Sequence, residues 1–513
     1  MAGGNYTSKS VPANHRNLAG GLNSTASPLS LQDNESSDLQ NIDFDKFGSI
    51  KKRSGFTQLN TSAVTGTPEG SGLHWYEYVS SGAVVREAVY VAGAAVYKMD
   101  ALDGTWDDIT GGLTITAGAR CSFANWLNVV YVTNGTDAPF EYNGTGNASA
   151  STLPTNVTIP KFVAEFNNYL FYGHVTVSGT LESSRIYWSD LKDPGTWPTT
   201  NFIDISKDDG QVITGMKVLG DRLIIFKSRS IYQVVFTGDA DIPFILPGGG
   251  KTNSAVGCNA PYTIQEVKNG LVFLSQDGFY FFDGNNSFKI SERITTTVDG
   301  LNKTRFEDAV SLVQKTKERY WCAVSNSGES ENDKVLVWDY FNNAWSIYDG
   351  IDASTLASFY VNGTEERPYF SDYGGYVYRA DTGASDNPAG VQTAISAYYW
   401  TNWKDFDDLV DVKGVPHIVL YYQTSDSLLT LGYSYDLELG TTYSIIVNLA
   451  GGGGVYGTGI YGVDVYGSSG GALQRKDLQS RGRVVRFKFE NNDVSGTFTI
   501  DGFGTFPHLE TYV

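Results

Sequence analysis

Five aspartates could supply the paired carboxyl groups of a glycan-cleaving site, and they are Asp190, Asp277, Asp283, Asp339 and Asp381. A glycosidase places two carboxyl groups on either side of the scissile bond and raises the pKa of one of them. An aspartate in a turn, however, also caps backbone N–H groups. Several of the five occupy equivalent positions in a repeated sequence, which favours a structural role. We therefore predict no catalytic residue and no enzymatic activity.

Two acidic clusters could bind a hard cation such as calcium. Their members are Asp204, Asp208 and Asp209 in the first cluster, and Asp405, Asp407, Asp408 and Asp411 in the second. Hard cations prefer oxygen ligands, but neither cluster has the calcium-loop spacing of about 12 residues that ends in Glu. We predict solvated loops at both places, with no metal site.

Histidine and cysteine give no metal-ligand spacing either. The five histidines are far apart, at positions 15, 74, 174, 417 and 508, and no H-E-x-x-H or C-x-x-C motif occurs. Cys121, Cys258 and Cys322 are isolated from one another. They are predicted to be free, buried thiols, and such a sparse, odd count is typical of folding in a reducing cytoplasm. No cofactor is expected.

A β-hairpin pattern recurs seven times along the chain, and the five candidate aspartates lie in or next to its copies. Its copies are Ala88–Asp100, Val129–Tyr142, Tyr169–Asp190, Arg222–Phe236, Gly270–Asp283, Arg319–Asp339 and Pro368–Asp381. The turns centre on Gly93, Gly135, Gly179, Arg229, Gly278, Glu329 and Gly374, at intervals of 42 to 51 residues. A hairpin at this period is typical of a β-propeller, with one hairpin in each blade. The sequence therefore predicts an all-β propeller of about seven blades, with six to eight possible.

Tryptophans near the turns allow two interpretations, and they are Trp106, Trp188, Trp197, Trp338 and Trp345. Exposed, they would form aromatic platforms for a glycan. Buried, they would pack adjacent blades together. The structural interpretation is favoured because blade faces must bury bulky side chains against one another.

The segments before and after the repeats predict an N-terminal arm, closing strands and a second domain. Residues 1–38 are polar and aperiodic and are expected to form an extended arm, either lying along a neighbouring subunit or disordered. Residues 39–59 are expected to supply strands that close a propeller spanning 39–390. After about residue 390 the pattern changes, which predicts a β-sandwich-like domain over 391–513 with a Tyr/Gly-rich loop at 451–471. The best helical candidate is Ser291–Leu312.

The net charge of −19 argues against a protein that wraps a nucleic-acid backbone, which requires clustered Lys and Arg. It is compatible with a wall past which DNA slides, and also with solubility alone. No secretory signal and no apolar run of about 18 residues is seen. A membrane-spanning segment is not expected.

Several phrases at the two ends of the chain resemble phage tail proteins of the propeller "nozzle", or tail tubular, type. They are Gly20–Asn23, Asp38–Phe44, Gly48–Phe56, Tyr399–Phe406, Arg481–Phe489 and Gly502–Phe503. The resemblance implies a structural virion protein of a short-tailed phage, assembled in the host cytoplasm. It implies a ring, typically a hexamer, that surrounds the DNA exit channel without sequence-specific binding, contributes to genome retention and ejection, and contacts the adaptor ring and tail fibres. A glycan-binding propeller that recognises a host surface and a head-side stopper or connector remain alternatives.

Overall fold

A computed structural model describes residues 12–438, 442–450, 466–468, 471–478 and 481–509 of the chain. Seven four-stranded antiparallel sheets follow one another, and they confirm the all-β propeller. We number these sheets as blades 1 to 7 in chain order. In each blade the first strand lies innermost, and we call it the inner strand.

The strands of blades 1 to 4 follow one another from the inner strand outward. Blade 1 contains Gly70–Ser80, Ala83–Ala92, Ala95–Asp100 and Asp107–Asp108. Blade 2 contains Ser122–Trp126, Val129–Thr133, Phe140–Tyr142 and Ser149–Ala150. Blade 3 contains Val157–Phe166, Tyr169–Val177, Thr180–Trp188 and Phe202–Asp204. Blade 4 contains Ile213–Leu219, Arg222–Lys227, Ile231–Phe236 and Phe244–Ile245.

Blades 5 to 7 have the same plan. Blade 5 contains Gln265–Val267, Gly270–Ser275, Gly278–Phe282 and Ser287–Lys289. Blade 6 contains Val310–Gln314, Arg319–Val324, Lys334–Asp339 and Ala344–Asp349. Blade 7 contains Thr355–Val361, Glu365–Ser371, Val377–Ala380 and, as its outer strand, Phe56–Gln58.

All seven predicted turns connect the second and third strands of a blade, so the repeat read from the sequence is the central hairpin of each sheet. In blade 1, Ala92 pairs with Ala95 around Gly93, whose φ is +57°. Glycine adopts this left-handed conformation without a Cβ clash, which explains why it marks the turn.

The segment 39–59, expected to close the propeller, divides between two roles. Only Phe56–Gln58 supplies a propeller strand. Ile42–Phe44 and Ile50–Lys52 pair with each other and, through Ile50–Lys52, with Thr499–Thr505. Lys52 Nζ donates to Asn491 Oδ1 at 2.8 Å and to the Asp493 carbonyl oxygen at 2.9 Å, which ties this strand to the C-terminal part of the chain.

The chain divides into two compact units. The propeller unit comprises residues 57–335 and 351–380, and the sandwich unit comprises 1–56, 336–350 and 381–513, so most of the outer two strands of blade 6 is grouped with the sandwich unit. This division differs from the expected boundaries at 38 and 390, since the N-terminal residues group with the C-terminal ones.

The sandwich unit contains two large sheets. The seven-stranded sheet has the order Tyr466–Ser468, Gly471–Asp477, His417–Gln423, Thr499–Thr505, Ile50–Lys52 and Ile42–Phe44, with Ala13–His15 also paired to Thr499–Thr505. The five-stranded sheet has the order Tyr443–Asn448, Leu428–Tyr435, Val485–Asn491, Ala397–Trp400 and Leu39–Gln40. Phe503 of the first sheet packs on Phe487 and Phe489 of the second, at ring-centroid distances of 5.5 and 5.7 Å.

Smaller elements complete the described chain. Lys413–Gly414 pairs with both Arg481–Gly482 and His508–Leu509, and Gly21–Leu22 runs parallel to Glu35–Ser36. The helical candidate Ser291–Leu312 contains one α-helix, Thr295–Asp299, and two of the six 3-10 turns. Those turns are Pro247–Gly249, Pro261–Thr263, Glu292–Ile294, Lys303–Asp308, Lys315–Lys317 and Pro388–Gly390. No helix in the described ranges is long and apolar enough to cross a membrane.

From residue 12 onward, the predicted arm consists of short strands and turns that belong to the sandwich unit of its own chain. Leu18, Leu22 and Leu31 are buried there. Asp33 forms an ion pair of 2.8 Å with Lys404, a lysine whose side chain is 3% exposed. Residues 1–11 and most of the predicted Tyr/Gly-rich loop lie outside the described residues.

Candidate functional site

The propeller unit contains a central channel of about 840 Å³, lined by residues of all seven inner strands. Because each inner strand lies at the end of its sheet, one edge of its backbone has no neighbouring strand. Unpaired N–H and C=O groups require water or side-chain partners.

Side chains from one blade provide partners for the inner strand of the next. Gln265 of blade 5 donates to the Ser311 carbonyl oxygen at 2.9 Å, and Ser358 of blade 7 donates to the Val313 carbonyl oxygen at 2.6 Å. His174 of blade 3 lies 3.0 Å from the Ile213 carbonyl oxygen of blade 4. These bonds hold adjacent blades together where the backbone ladder is absent.

One end of the channel is crossed by side chains from opposite blades. The hydroxyl of Tyr262, just before the inner strand of blade 5, donates to the carbonyl oxygen of Arg120, just before that of blade 2, at 2.9 Å. Arg120 Nε lies 3.9 Å from Asp308 Oδ1, and its Nη1 donates to the Gly70 carbonyl oxygen at 3.0 Å. We call Tyr262, Arg120 and Asp308 the Tyr262 bridge. It obstructs the end at which the inner strands begin.

Sequence patterns did not indicate this bridge. Its two main residues are 142 positions apart, and neither lies in a motif. The only signal in the sequence was an aromatic residue next to Pro261 at the start of a blade, which is common to many turns.

The charges on the channel wall are balanced. Its lining includes three basic residues, Arg120, Lys217 and Lys315, and three acidic ones, Glu77, Glu165 and Glu266. Half-buried Lys217 has a lowered pKa because of desolvation, which Glu266 partly opposes. A wall without an excess of cations gives no electrostatic attraction for a phosphate backbone.

His74 is a titratable group of the channel wall whose charge depends on its burial. Its ring stacks on Phe123 with a 4.8 Å centroid distance, and its Nε2 lies 2.9 Å from Asn125 Oδ1. Burial lowers the pKa of His74 to about 4, although the hydrogen bond to Asn125 opposes this. The imidazole is therefore neutral at physiological pH.

The width of the channel follows from its volume. The seven-residue inner strand of blade 4 spans about 23 Å at about 3.3 Å per residue, so a cavity of this volume has a mean width of roughly 7 to 10 Å. The major groove of B-DNA alone is about 12 Å wide. A DNA duplex therefore does not fit into the channel of one propeller.

The aspartates considered for catalysis serve local structure. Asp283 accepts hydrogen bonds from the backbone of Asn285 and Asn286 at 2.8 and 2.7 Å, and Asp339 does the same for Phe341 and Asn342 at 3.1 and 2.8 Å. The repeated Asp thus caps a repeated turn, as the sequence indicated.

The remaining three aspartates, which were also considered for catalysis, have local surroundings of their own. Asp190 accepts from the Leu191 backbone N–H at 2.8 Å, and Asp277 binds Tyr280 and Lys289 at 2.8 and 3.2 Å. Asp381 adopts a φ of +59° just after the third strand of blade 7.

The acidic clusters considered for calcium are partnered within the protein. Asp204 forms a two-pronged ion pair with Arg185 at 2.6 and 2.8 Å, and Asp209 pairs with Lys227 at 3.0 Å. Asp208 takes a φ of +65° in the same loop.

In the second cluster, Asp405 and Asp408 cap the backbone N–H groups of Asp407 and of Val410 and Asp411. Among the residues that the structure describes, no group of three His, Cys, Asp or Glu could hold a metal ion.

Four of the five candidate tryptophans are buried, in agreement with the packing interpretation. Trp188, Trp197, Trp338 and Trp345 are between 2% and 8% exposed, and Trp106 is half-buried against Tyr90. The glycan-binding alternative requires exposed aromatic platforms at these positions, which four of them do not provide.

The cysteines are free and buried, as predicted. Burial raises the pKa of Cys121 and of Cys258 to about 12. These thiols are inert at neutral pH because the thiolate is the reactive form.

The segment Gly48–Phe56 contains Arg53, which lies at the centre of a buried polar cluster in the sandwich unit. Arg53 holds both carboxylate oxygens of Asp386 at 2.8 and 2.7 Å, and its Nε donates to Asn41 Oδ1 at 2.7 Å. Its Nη2 also donates to the Asp349 carbonyl oxygen at 2.8 Å. The guanidinium fork, with five donors in fixed geometry, suits this position in a way that lysine cannot.

Steric crowding explains the glycine at two further positions of the matched sequence motifs. A Cβ at Gly55 would overlap the Ser385 carbonyl oxygen, and one at Gly20 would lie 2.6 Å from that of Asn34. At the C-terminal end, the Arg486 guanidinium lies 4.0 Å from the ring centroid of Trp400 and 4.7 Å from that of Trp403. The residues of these motifs therefore make buried contacts that stabilise the sandwich unit.

Comparison with known protein families connects these observations. The family described as "Bacteriophage P22 Gp10, beta-propeller" matches residues 44–310, about half of the chain. The chain belongs to this family. The resemblance to phage tail β-propeller proteins is thereby confirmed. The P22 Gp10 family places the chain among the structural proteins of a phage virion.

Solved structures give more distant likenesses. The computationally designed Ika8 protein is 12% identical, with 63% of this chain and 99% of that chain covered and a TM-score of 0.38. YCF48 bound to D1 peptide is 12% identical over 64% and 98%, with a TM-score of 0.37. BBS1N in complex with ARL6DN is 11% identical over 64% and 97%, with a TM-score of 0.41. No curated protein matches the chain.

Proposed function

We propose that several copies of this P22 Gp10-family protein form a closed ring, the nozzle of a phage tail, around the path by which the genome leaves. Each copy contributes one propeller to the wall, and the DNA passes through the lumen between copies. The ring retains the packaged genome until infection and guides it during ejection. A hexamer is the symmetry we expect.

The observation that carries this proposal is the geometry of the propeller channel. The channel is narrower than a duplex, and the Tyr262 bridge obstructs one of its ends. A propeller protein of a phage tail can therefore enclose DNA only by assembling with other chains. Such a ring uses head-to-tail interfaces that close by rotation.

The charge of the chain is consistent with a passage rather than a binding site. At −19, copies in a ring surround the duplex with net negative charge, and like charges disfavour adhesion. The phosphate backbone is then not held by the counterion-releasing contacts that make DNA-binding proteins adhere.

The partners follow from the position of a nozzle. We expect contacts with an adaptor ring on the side of the head and with tail fibres around the outside. Virion assembly in the cytoplasm of the host bacterium agrees with three cysteines that remain free and buried.

Light scattering combined with negative-stain imaging of the purified chain tests the proposal. A particle of about six chains with a central opening wider than one duplex would support it. A particle that remains monomeric at high concentration, or a closed cluster without an opening, would contradict it.

A further inference from the structure

A row of alternating aromatic rings and cations lies on one face of the five-stranded sheet in the sandwich unit. Arg486 and Lys488 are two positions apart in one strand, so their side chains point to the same face. The Arg486 guanidinium lies 4.0 Å from the ring centroid of Trp400 and 4.7 Å from that of Trp403. Lys488 Nζ lies 4.8 Å from the ring centroid of Tyr398 and 5.7 Å from that of Trp400. We call these five residues the cation–π row.

Arg486 is buried in this row without a hydrogen-bond partner. It is 8% exposed, and its Nε is enclosed with no acceptor in reach. In the part of the chain that the structure describes, the guanidinium forms neither a hydrogen bond nor an ion pair. Ser434, directly opposite in the neighbouring strand, is fully buried, and its hydroxyl also lacks a partner. Five N–H donors of one buried cation are therefore unused.

The carboxylates near the row are bound to other groups. Glu490 pairs with Lys488 at 2.9 Å. Asp38 attracts Arg486 electrostatically, but its carboxylate accepts a hydrogen bond from the Tyr398 hydroxyl at 3.0 Å. Burial lowers the pKa of Arg486, so the attraction of Asp38 does not fully offset the loss of hydration. Buried charges in proteins are usually paired, and this one lacks its counter-ion.

The free donors of Arg486 fit a carboxylate. The ring faces of Trp400 and Trp403 are already covered by the guanidinium, so they cannot stack on a nucleic-acid base or a sugar. A guanidinium offers pairs of N–H groups in a planar fork that matches the two oxygens of a carboxylate. A phosphate can carry two negative charges and would be repelled by Glu490 and Asp38. A carboxylate carries one, which equals the single unpaired cation.

We propose that Arg486 binds a carboxylate side chain of an acidic segment from another protein, with the cation–π row as the docking surface. The row reaches the surface beside Arg486, where 19% of the Lys488 side chain and 29% of the Glu490 side chain are exposed. The site is a property of the sandwich unit of one chain and does not depend on the proposed ring.

Binding of a capped hexaglutamate peptide to the full chain at low ionic strength tests the proposal. By fluorescence anisotropy, the wild type should bind it about 10-fold more tightly than capped hexaglutamine, and R486Q should weaken hexaglutamate binding by about 10- to 100-fold. R486K should lose about 10-fold, since lysine keeps the charge but not the fork. Arg475→Gln is the matched control, because the Arg475 side chain is 60% exposed and already pairs with Asp477 at 3.2 Å. R475Q should bind like the wild type.

Photo-cross-linking with the wild-type chain tests the same point even where a variant fails to fold. A hexaglutamate peptide with a central photo-reactive residue should label residues 398–403 or 483–490, as located by mass spectrometry. Labelling elsewhere, absence of binding, or equal binding by wild type and folded R486Q would overturn the proposal. A tighter complex with a phosphopeptide or a single-stranded oligonucleotide would overturn it as well. None of these outcomes bears on the ring, which is tested by the number of chains in the particle.

Discussion

The hydroxyl of Tyr262 donates to the carbonyl oxygen of Arg120 at 2.9 Å, joining blade 5 to blade 2 across the propeller channel. The bond connects parts of the chain that are 142 residues apart. Together with the ion pair between Arg120 and Asp308, it places side chains across one end of the channel. In the proposed ring, the DNA would therefore run outside the hole of each propeller.

Tyr262→Phe should loosen this end of the channel without unfolding the propeller. The substitution removes one hydrogen bond and leaves the Arg120 carbonyl oxygen without that donor, which costs about 1 to 3 kcal/mol. Hydrogen–deuterium exchange should become faster around residues 120–122, and the melting temperature should fall by several degrees. Tyr97→Phe is the control, because Tyr97 is buried in blade 1 and its hydroxyl makes no hydrogen bond within the described ranges. Equal exchange in Y262F and Y97F would exclude a structural role for the bridge.

Arg53→Lys should destabilise the sandwich unit. Lysine keeps the positive charge but loses the two-pronged pair with Asp386 and the bond to Asn41, so buried acceptors lose donors. Breaking a buried pair costs about 3 to 5 kcal/mol, and the retained charge should reduce this to about 2 to 4 kcal/mol. Exchange protection of strands Ala397–Trp400 and Val485–Asn491 should report the loss. Arg367→Lys, at a partly exposed pair with Glu365, should change stability by less than about 1 kcal/mol. A similar effect of R53K and R367K would show that the Arg53 cluster does not lock the unit.

Gly55→Ala should be poorly tolerated for steric reasons alone. The added Cβ would overlap the Ser385 carbonyl oxygen, a backbone atom that cannot turn away like a side chain. We expect insoluble protein or a large fall in melting temperature. Gly112→Ala is the matched control, since its Cβ would meet nothing within 4 Å. A soluble G55A protein with the wild-type melting temperature would show that this close approach does not exist in solution.

His74→Gln should reduce the sensitivity of the propeller unit to mild acid. Burial lowers the pKa of His74 to about 4, whereas an unfolded histidine has its ordinary value near 6.5. As the pH falls from 6.5 to 4, the unfolded state therefore binds a proton that the folded state does not, and stability is lost. Since His74 is only half-buried, we expect about 1 to 2 kcal/mol from this residue.

The corresponding measurement is the melting temperature of both proteins at about pH 7 and about pH 4.5, on either side of the ordinary histidine pKa. H74Q should lose less stability than the wild type between these values, although both lose some through other histidines such as His15, whose pKa burial also lowers to about 4. Parallel losses in the two proteins would show that His74 is not held neutral by the channel wall.

The sequence predicted the propeller well because its signal is local. Each blade contains a central hairpin, often with a glycine such as Gly93 in its turn, and the hairpins recur every 42 to 51 residues. An aspartate such as Asp283 caps the turn that follows the third strand. Capping also accounts for the repetition of Asp283 and Asp339 at equivalent positions. A periodic pattern of turns and aromatic strands is sufficient to identify such an architecture.

Contacts between residues that are far apart in the sequence could not be predicted from local sequence patterns. Ile50–Lys52 pairs with Thr499–Thr505, and Lys52 donates to Asn491 and Asp493, so the partners of this strand come from residues more than 400 positions away. Lys52 is only 1% exposed, and this burial lowers its pKa to about 8. In the same way, the Tyr262 bridge has no local sequence signature, because its two main residues are 142 positions apart.

Cryo-electron microscopy of the intact phage that carries this protein tests the central claim most directly. We predict several copies around one DNA density, with the duplex running between the propellers and each propeller channel lying off that axis. A DNA density that passes through the channel of a single propeller, or a single copy of the chain away from the DNA path, would contradict the proposed ring.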